Sequence, residues 1–350
     1  MFKFNRRTLL FSGLTTGFSV STIAQSVQAQ SPQAETTDGT IDALFGADSD
    51  RANPQKNLSA QIISPSVAYD RVMSRVLIRC SQIGMEQFEQ KQRDPRYNGE
   101  IRSLPSYSND LSQYAQASTF NIRLDATTTL LTNLRPLGNR IVQRVVNPTQ
   151  TFIGFVLTSP THNIIVFRGT SNPKEWVANF QASQSDYLQA GTRRGRVHTG
   201  FLRLYNQLSE QVRSAATRFN PALPCFIVGH SLGGALATLA AADLAQNSAL
   251  KNQLRLYSYA APRVGDRAFA EFLNGIVPNS YRIINLADIV PMVPPSTLRK
   301  QEYSHTGQEW VFLDYAGGEM GPIHAVSLYR SAIVKQIETN QIPTFPTACR

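Results

Sequence analysis

The sequence predicts an α/β fold, a mostly parallel central sheet with helices on both faces. Three observations predict it. From Thr151 onward, short runs rich in Val, Ile, Leu and Phe alternate with stretches of helical spacing, the pattern of strands joined in parallel by crossover helices. A tight turn, Gly229-His230-Ser231-Leu232-Gly233, sits between an apolar strand-like run and a small-residue helix. Apolar residues make up 42% of the chain and charged residues 17%, which allows a sizeable core and excludes a globally disordered chain.

The first residues read as an address label. Residues 1–29 have a basic start (Lys3, Arg6, Arg7), a moderately apolar run from Leu9 to Ala24 and small residues at Val27-Gln28-Ala29, the plan of an export signal peptide. Ser, Thr and Gly break the apolar run, so it is not a membrane span, and no transmembrane span is expected in the mature chain. Asn5-Arg6-Arg7-Thr8-Leu9-Leu10 resembles a twin-arginine signal; an ordinary secretory signal with two adjacent arginines is the alternative. Either one predicts an exported protein, periplasmic or extracellular. Residues 30–60, rich in Ser, Thr, Gln, Asp and Pro, read as a linker or poorly ordered arm. The remainder, 61–350, is expected to form one domain, because α/β enzymes of about 250 residues commonly do. No internal repeat is evident.

The formal net charge is +10, of which three charges belong to the expected signal. The Lys and Arg residues are scattered without a run of five like charges, and no basic helix or aromatic RNA-binding signature occurs, so no nucleic-acid partner is expected. Of the three cysteines, Cys225 lies in an apolar run and reads as a small buried hydrophobe, while Cys80 and Cys349 are candidates for a disulfide. None has the sequence context of a metal cluster, so no metal site is expected.

The elements follow in order. Pro65 to about Gln90 carries Val67, Val72, Val76, Leu77 and Cys80 at helical spacing, with Pro65 suited to a helix start. Thr151–Leu157 and Ile164–Arg168 read as strands separated by a turn. Phe201 to Phe219 reads as one amphipathic helix with Leu204, Leu208, Val212 and Ala215 on a single face. Strands are predicted at 225–228, 254–259 and 281–286, and helices at 232–245, 266–273 and from His324 to about Glu338.

The Gly229-His230-Ser231-Leu232-Gly233 turn carries the chemistry. Placing a serine hydroxyl in a cleft needs a sharp strand-to-helix turn, and the helix start then sets backbone N–H groups and a partial positive charge beside it. A serine is a weak nucleophile until a base takes its proton, and that base is usually a histidine oriented by a carboxylate. In this chain order the acid and the histidine follow the serine. Asp288 is the preferred acid, since it follows an apolar strand at its carboxyl end. Asp266 competes but reads as a helix N-cap, and Asp243 reads as a solvated residue inside a helix. Two histidines follow Ser231; His324, at a loop-to-helix junction, is preferred over His305, in a hairpin-like stretch before Trp310-Val311-Phe312. His162 reads as a surface turn residue, His198 as packing under a loop and His230 as structural.

With these residues the chain resembles the class 3 (fungal-type) lipase family, of α/β-hydrolase fold. The resemblance rests on an ordered set of segments: Ile165-Val166-Phe167-Arg168-Gly169-Thr170, Val197-His198-Thr199-Gly200-Phe201, Gly229 to Ala237, Asn285-Leu286-Ala287-Asp288-Ile289-Val290-Pro291, Tyr303 to Trp310, and His324-Ala325-Val326-Ser327-Leu328-Tyr329. It covers about residues 65–340. It implies a Ser231, Asp288 and His324 triad, a structural His305, and an oxyanion site from the backbone N–H groups of Thr170 and Leu232. Thr170 departs modestly from the family, whose fungal members often have Ser there. The resemblance also favours the Cys80–Cys349 pair. It implies a lid at Ser171 to Gln181 with Trp176, Val177 and Phe180 forming its apolar face; a fixed buried helix is the alternative.

The implied function is hydrolysis of lipid esters, most simply acylglycerols at a lipid–water interface, through an acyl-enzyme and without a cofactor. A phospholipase or galactolipase, a feruloyl-type esterase, an acyltransferase and a silent binding protein on the same fold remain alternatives, because fold does not fix substrate.

Overall fold

The computed structural model describes residues 65–123, 150–170, 183–298, 300–315 and 320–339. The expected signal (1–29), the arm (30–60), the lid residues Trp176, Val177 and Phe180, and Cys349 with its expected pairing all lie outside the described residues. Cys80 and Cys225 are buried thiols.

The helices are α1 (Arg71–Arg93), α2 (Thr199–Asn206), α3 (Ser209–Ala216), α4 (Leu232–Asn247), α5 (Arg267–Ile276), α6 (Met320–His324) and α7 (Val326–Thr339). The strands are β1 (Ala115–Arg123), β2 (Gln150–Thr158), β3 (Asn163–Phe167), β4 (Gln184–Gln189), β5 (Thr192–His198), β6 (Cys225–His230), β7 (Leu254–Tyr259), β8 (Ser280–Asn285), β9 (Thr297–Leu298), β10 (Gln301–Glu302) and β11 (Gln308–Phe312). Among the described residues a seven-stranded sheet runs β1-β2-β3-β6-β7-β8-β11. Its β1-β2-β3 edge is antiparallel, and from β3 to β11 every pairing is parallel. This is the α/β-hydrolase architecture that the sequence predicts.

Burial explains the composition. Strands β3, β6 and β8 are buried along their whole length, as strands covered on both faces must be. One face packs Leu204, Val212, Leu236, Phe269 and Leu273 from α2 to α5. The other packs Leu77, Ile78 and Ile83 from α1 and Tyr329 and Ile333 from α7. Helix α4 is buried from Leu232 to Ala245, which is why it reads as Ala, Gly and Leu with no polar stripe.

Several boundaries differ from expectation. Helix α1 starts six residues after Pro65, because Asp70 accepts the Met73 N–H at 2.8 Å and caps it there. The single helix expected from Phe201 to Phe219 is two, α2 and α3. Gln207 and Leu208 turn back onto Leu204 and Tyr205, and Leu208 and Val212 stay buried, so the apolar period runs through the break. His324 ends α6 rather than opening the last helix, which begins at Val326. The stretch after His305 leads into β11, which pairs parallel with β8 and not as a hairpin. The β4–β5 hairpin was not predicted: it is largely polar, and a two-residue turn with positive φ at Ala190 and Gly191 forms it. Among the described residues no helix is long and apolar enough to cross a membrane.

Candidate active site

Ser231 stands alone between β6 and α4, at φ 59° and ψ −127°. Such backbone is costly for a residue with a Cβ and persists only where the surroundings over-determine it. Here they do. The Ser231 N–H donates to Tyr259 O at 2.9 Å, and the Ser231 carbonyl accepts from Gly234 at 2.9 Å. The flanking glycines permit the close approach: a Cβ on Gly229 would lie 2.1 Å from Gly233 O, and one on Gly233 2.3 Å from Phe167 O. Leu232 is the first residue of α4, so its N–H has no carbonyl one turn back. Thr170 follows β3, nearly buried, and its neighbour Gly169 packs on the turn; a Cβ there would lie 2.8 Å from His230 O and 3.3 Å from the Ser231 Cβ.

Asp288 lies just past β8 with its carboxylate fully hydrogen-bonded. Oδ1 accepts from Val290 N at 3.0 Å, and Oδ2 accepts from His324 Nδ1 at 2.7 Å and from the Tyr329 hydroxyl at 2.8 Å. The Tyr329 oxygen in turn accepts from Asn285 N at 2.9 Å. Burial, and then the Asp288 charge, push ionisation of Tyr329 well above the usual range, so it remains a donor.

The bond from Nδ1 to Asp288 leaves Nε2 of His324 as the outward nitrogen. Nε2 and the Ser231 Oγ are both buried, and neither hydrogen-bonds to the other or to anything else. The Asp288–His324 link is therefore closed and the His324–Ser231 link open, a looseness common before substrate binds. His230 bridges the two regions. Its ring lies 4.8 Å from that of His324 and 5.4 Å from that of Tyr329, centre to centre. Burial, and then His324 itself, hold His230 well below the ordinary histidine range, so it stays neutral.

The other candidates fall elsewhere. His305 lies beside Arg282 and Arg263 and donates to the Pro291 carbonyl; burial and those cations push its pKa well down. Asp266 caps α5, accepting Phe269 N at 2.8 Å. Asp243 is not solvated: it is buried, accepts from Tyr205 OH and Asn247 Nδ2, both at 2.6 Å, and pairs with Arg213 at 3.3 Å. His198 caps α2 through Nδ1. His162 does sit in the β2–β3 turn, but half-buried and bonded to Tyr114 OH at 2.7 Å. Among the described residues no cluster of His, Cys, Asp or Glu could hold a metal ion. The sequence reading missed Tyr329, whose signal is an aromatic hydroxyl five residues beyond His324, and Arg168.

Residues 164–298 match the family model Lipase (class 3). Over that stretch, well under half of the chain, it is similar to class 3 lipases. The matched stretch contains Thr170, Ser231, Leu232 and Asp288 and stops before His324. A curated relative, "Secreted mono- and diacylglycerol lipase 1" of Fusarium solani, is 37% identical over 194 residues, 53% of this chain and 55% of that protein. "Lipase" of Rhizomucor miehei is 36% identical over 156 residues, 43% of this chain and 41% of that protein. The chain thus spans about half the length of the curated relatives it matches. The solved lipase from Rhizopus microsporus var. chinensis superposes with a TM-score of 0.52 at 21% identity, covering 78% of this chain and 91% of that one, which is a likeness of fold.

Proposed function

We propose that this chain is an exported serine ester hydrolase acting on acylglycerol-type lipid esters, with Ser231 as nucleophile, His324 as base and Asp288 as its orienting acid. The hydrogen bond between His324 Nδ1 and Asp288 Oδ2 carries the reading, because it fixes the ring tautomer that leaves Nε2 ready to accept the Ser231 proton. His324 takes that proton as Ser231 Oγ attacks the ester carbonyl. The charge that develops on the carbonyl oxygen is held by the N–H groups of Thr170 and Leu232, each worth about 3–4 kcal/mol in the transition state. His324 then protonates the departing alcohol. Water, activated by the same histidine, cleaves the acyl-enzyme and restores Ser231. The chemistry is complete with side chains, backbone and water. The substrate class rests on the relatives, whose names include a mono- and diacylglycerol lipase, and export rests on the N-terminal signal pattern.

Hydrolysis of emulsified tributyrin by the chain lacking residues 1–29, beside its Ser231→Ala variant, tests the reading. Release of butyrate that disappears in the variant is expected. Hydrolysis that survives the substitution rejects Ser231 as nucleophile, and no hydrolysis by either protein rejects the lipase assignment.

A further inference from the structure

Arg168 immediately follows β3 and is fully buried. Among the described residues no carboxylate pairs with its guanidinium. Nε donates to Phe152 O at 2.8 Å, one terminal nitrogen donates to Gly169 O at 2.7 Å, and the other terminal nitrogen has no partner. The planar group stacks 4.0 Å from the centre of the Phe88 ring. Burial lowers its pKa to about 9, still above neutrality, so the charge is retained. Burying an unpaired cation is expensive, and an aliphatic residue here would fill the core at less cost.

Its geometry supplies a reason. Gly84 and Phe88 of α1 contact Arg168, so its side chain lies on the α1 side of the sheet. Helix α4, which starts at the Ser231 turn, lies on the opposite side, where Gly233 abuts the carbonyls of Phe167 and Arg168. The Gly169 carbonyl is held towards the guanidinium. The Gly169–Thr170 peptide is trans, and in a trans peptide the C=O and the following N–H point in opposite directions. Anchoring that carbonyl on the α1 side turns the Thr170 N–H towards the side of Ser231.

We propose that Arg168 is the positioning residue of the oxyanion site: it aims the Thr170 N–H by gripping the Gly169 carbonyl from behind and, through its unneutralised charge, polarises that peptide into a stronger donor. The inference rests on the ester-hydrolase reading above and deepens it. Arg168 touches no substrate and acts through one peptide unit. Phe88 is the platform that keeps the guanidinium flat against that unit.

The test uses p-nitrophenyl butyrate, with active sites counted by stoichiometric labelling with a p-nitrophenyl phosphonate, on wild type, Arg168→Gln, Arg168→Lys and Phe88→Leu. A trifluoromethyl ketone, which forms a tetrahedral adduct at the serine, reports the oxyanion site directly. For Arg168→Gln, kcat per labelled site is expected to fall about 10–100-fold with KM within about twofold, and the ketone Ki to rise in parallel, because losing a whole donor costs about 10²–10³-fold. Arg168→Lys, which keeps the charge and one donor, should recover part of the loss. Phe88→Leu should show a smaller loss with the same correlation, and it decides the matter if Arg168→Gln does not fold. A kcat per labelled site within twofold of wild type, or a lower kcat with an unchanged ketone Ki, overturns the proposal. A wild-type protein that neither hydrolyses the ester nor takes the label overturns the ester-hydrolase reading itself, and this inference with it.

Discussion

Tyr329 and His324 donate to the same oxygen of Asp288, at 2.8 and 2.7 Å. The carboxylate that orients the histidine is thus itself oriented from α7, and Val290 N fixes its other oxygen. Tyr329→Phe removes one donor from a buried charge and strips Asn285 N–H of its acceptor. A hydrogen bond to a charged group contributes about 1.5–3 kcal/mol, so urea unfolding should show a loss of that size. Asp288 keeps its two other donors, so kcat should fall by roughly tenfold, far less than the roughly 10⁴-fold cost of losing a triad acid. A Tyr329→Phe variant with unchanged stability would show that this bond contributes nothing.

The two downstream histidines should separate cleanly. His324→Ala removes the proposed base and is expected to cost roughly 10⁴–10⁶-fold in kcat with the fold intact. His305→Ala removes a ring that bonds the Pro291 backbone beside two arginines, so it should cost stability and leave kcat within severalfold. Activity on a soluble ester together with a thermal melt reads both. Loss of activity in the His305 variant alone would overturn the assignment.

The sequence made the candidate site legible where local chemistry dictates position. The Ser231 turn needs glycines at both flanks and a strand before it, and Asp288 needs the carboxyl end of a strand; both are short-range patterns. Asp243 was misread because helical spacing reports what precedes and follows on one helix, whereas its partners Tyr205 and Arg213 come from α2 and α3. The split between α2 and α3 was invisible because Leu204, Leu208 and Val212 face the same core on either side of it. Tyr329 and Arg168 were passed over because an aromatic and a cation inside core segments reveal their hydrogen bonds only once the sheet has assembled.

Histidines whose surroundings keep them neutral make stability depend on pH. His230 and His305 are both held well below the ordinary value by burial, reinforced by His324 in one case and two arginines in the other. The unfolded chain binds their protons at about pH 6.5, and the folded chain does not. Unfolding therefore takes up protons below that pH, so stability is full above it and falls as the pH drops. Each histidine contributes a slope of about 1.4 kcal/mol per pH unit until its folded-state value is reached. Urea unfolding at pH 7.5, 6.0 and 5.0 should show this decline. An unfolding free energy that is flat between 6.0 and 5.0 would mean that neither ring is excluded from protonation.

The packing of α4 against β3 makes a sharper prediction at Gly233. A Cβ there would lie 2.3 Å from Phe167 O and 2.7 Å from Arg168 O, both backbone atoms that no side-chain rotation can clear. Gly233→Ala must push the start of α4 off the strand, and Ser231 and Leu232 move with it. Overpacking of this kind costs about 1–3 kcal/mol, and displacing reacting groups by an ångström costs about 10²-fold in rate. Gly191→Ala provides the contrast. Gly191 has φ +76° at the β4–β5 turn and nothing within 4 Å of an added Cβ. Its substitution should cost about 1 kcal/mol of backbone strain and leave kcat unchanged. Thermal melts and kcat per labelled site on both variants check the pair. Equal activity losses would mean that the Ser231 turn is no more sensitive to crowding than a remote hairpin, and would remove the physical basis for placing the nucleophile there.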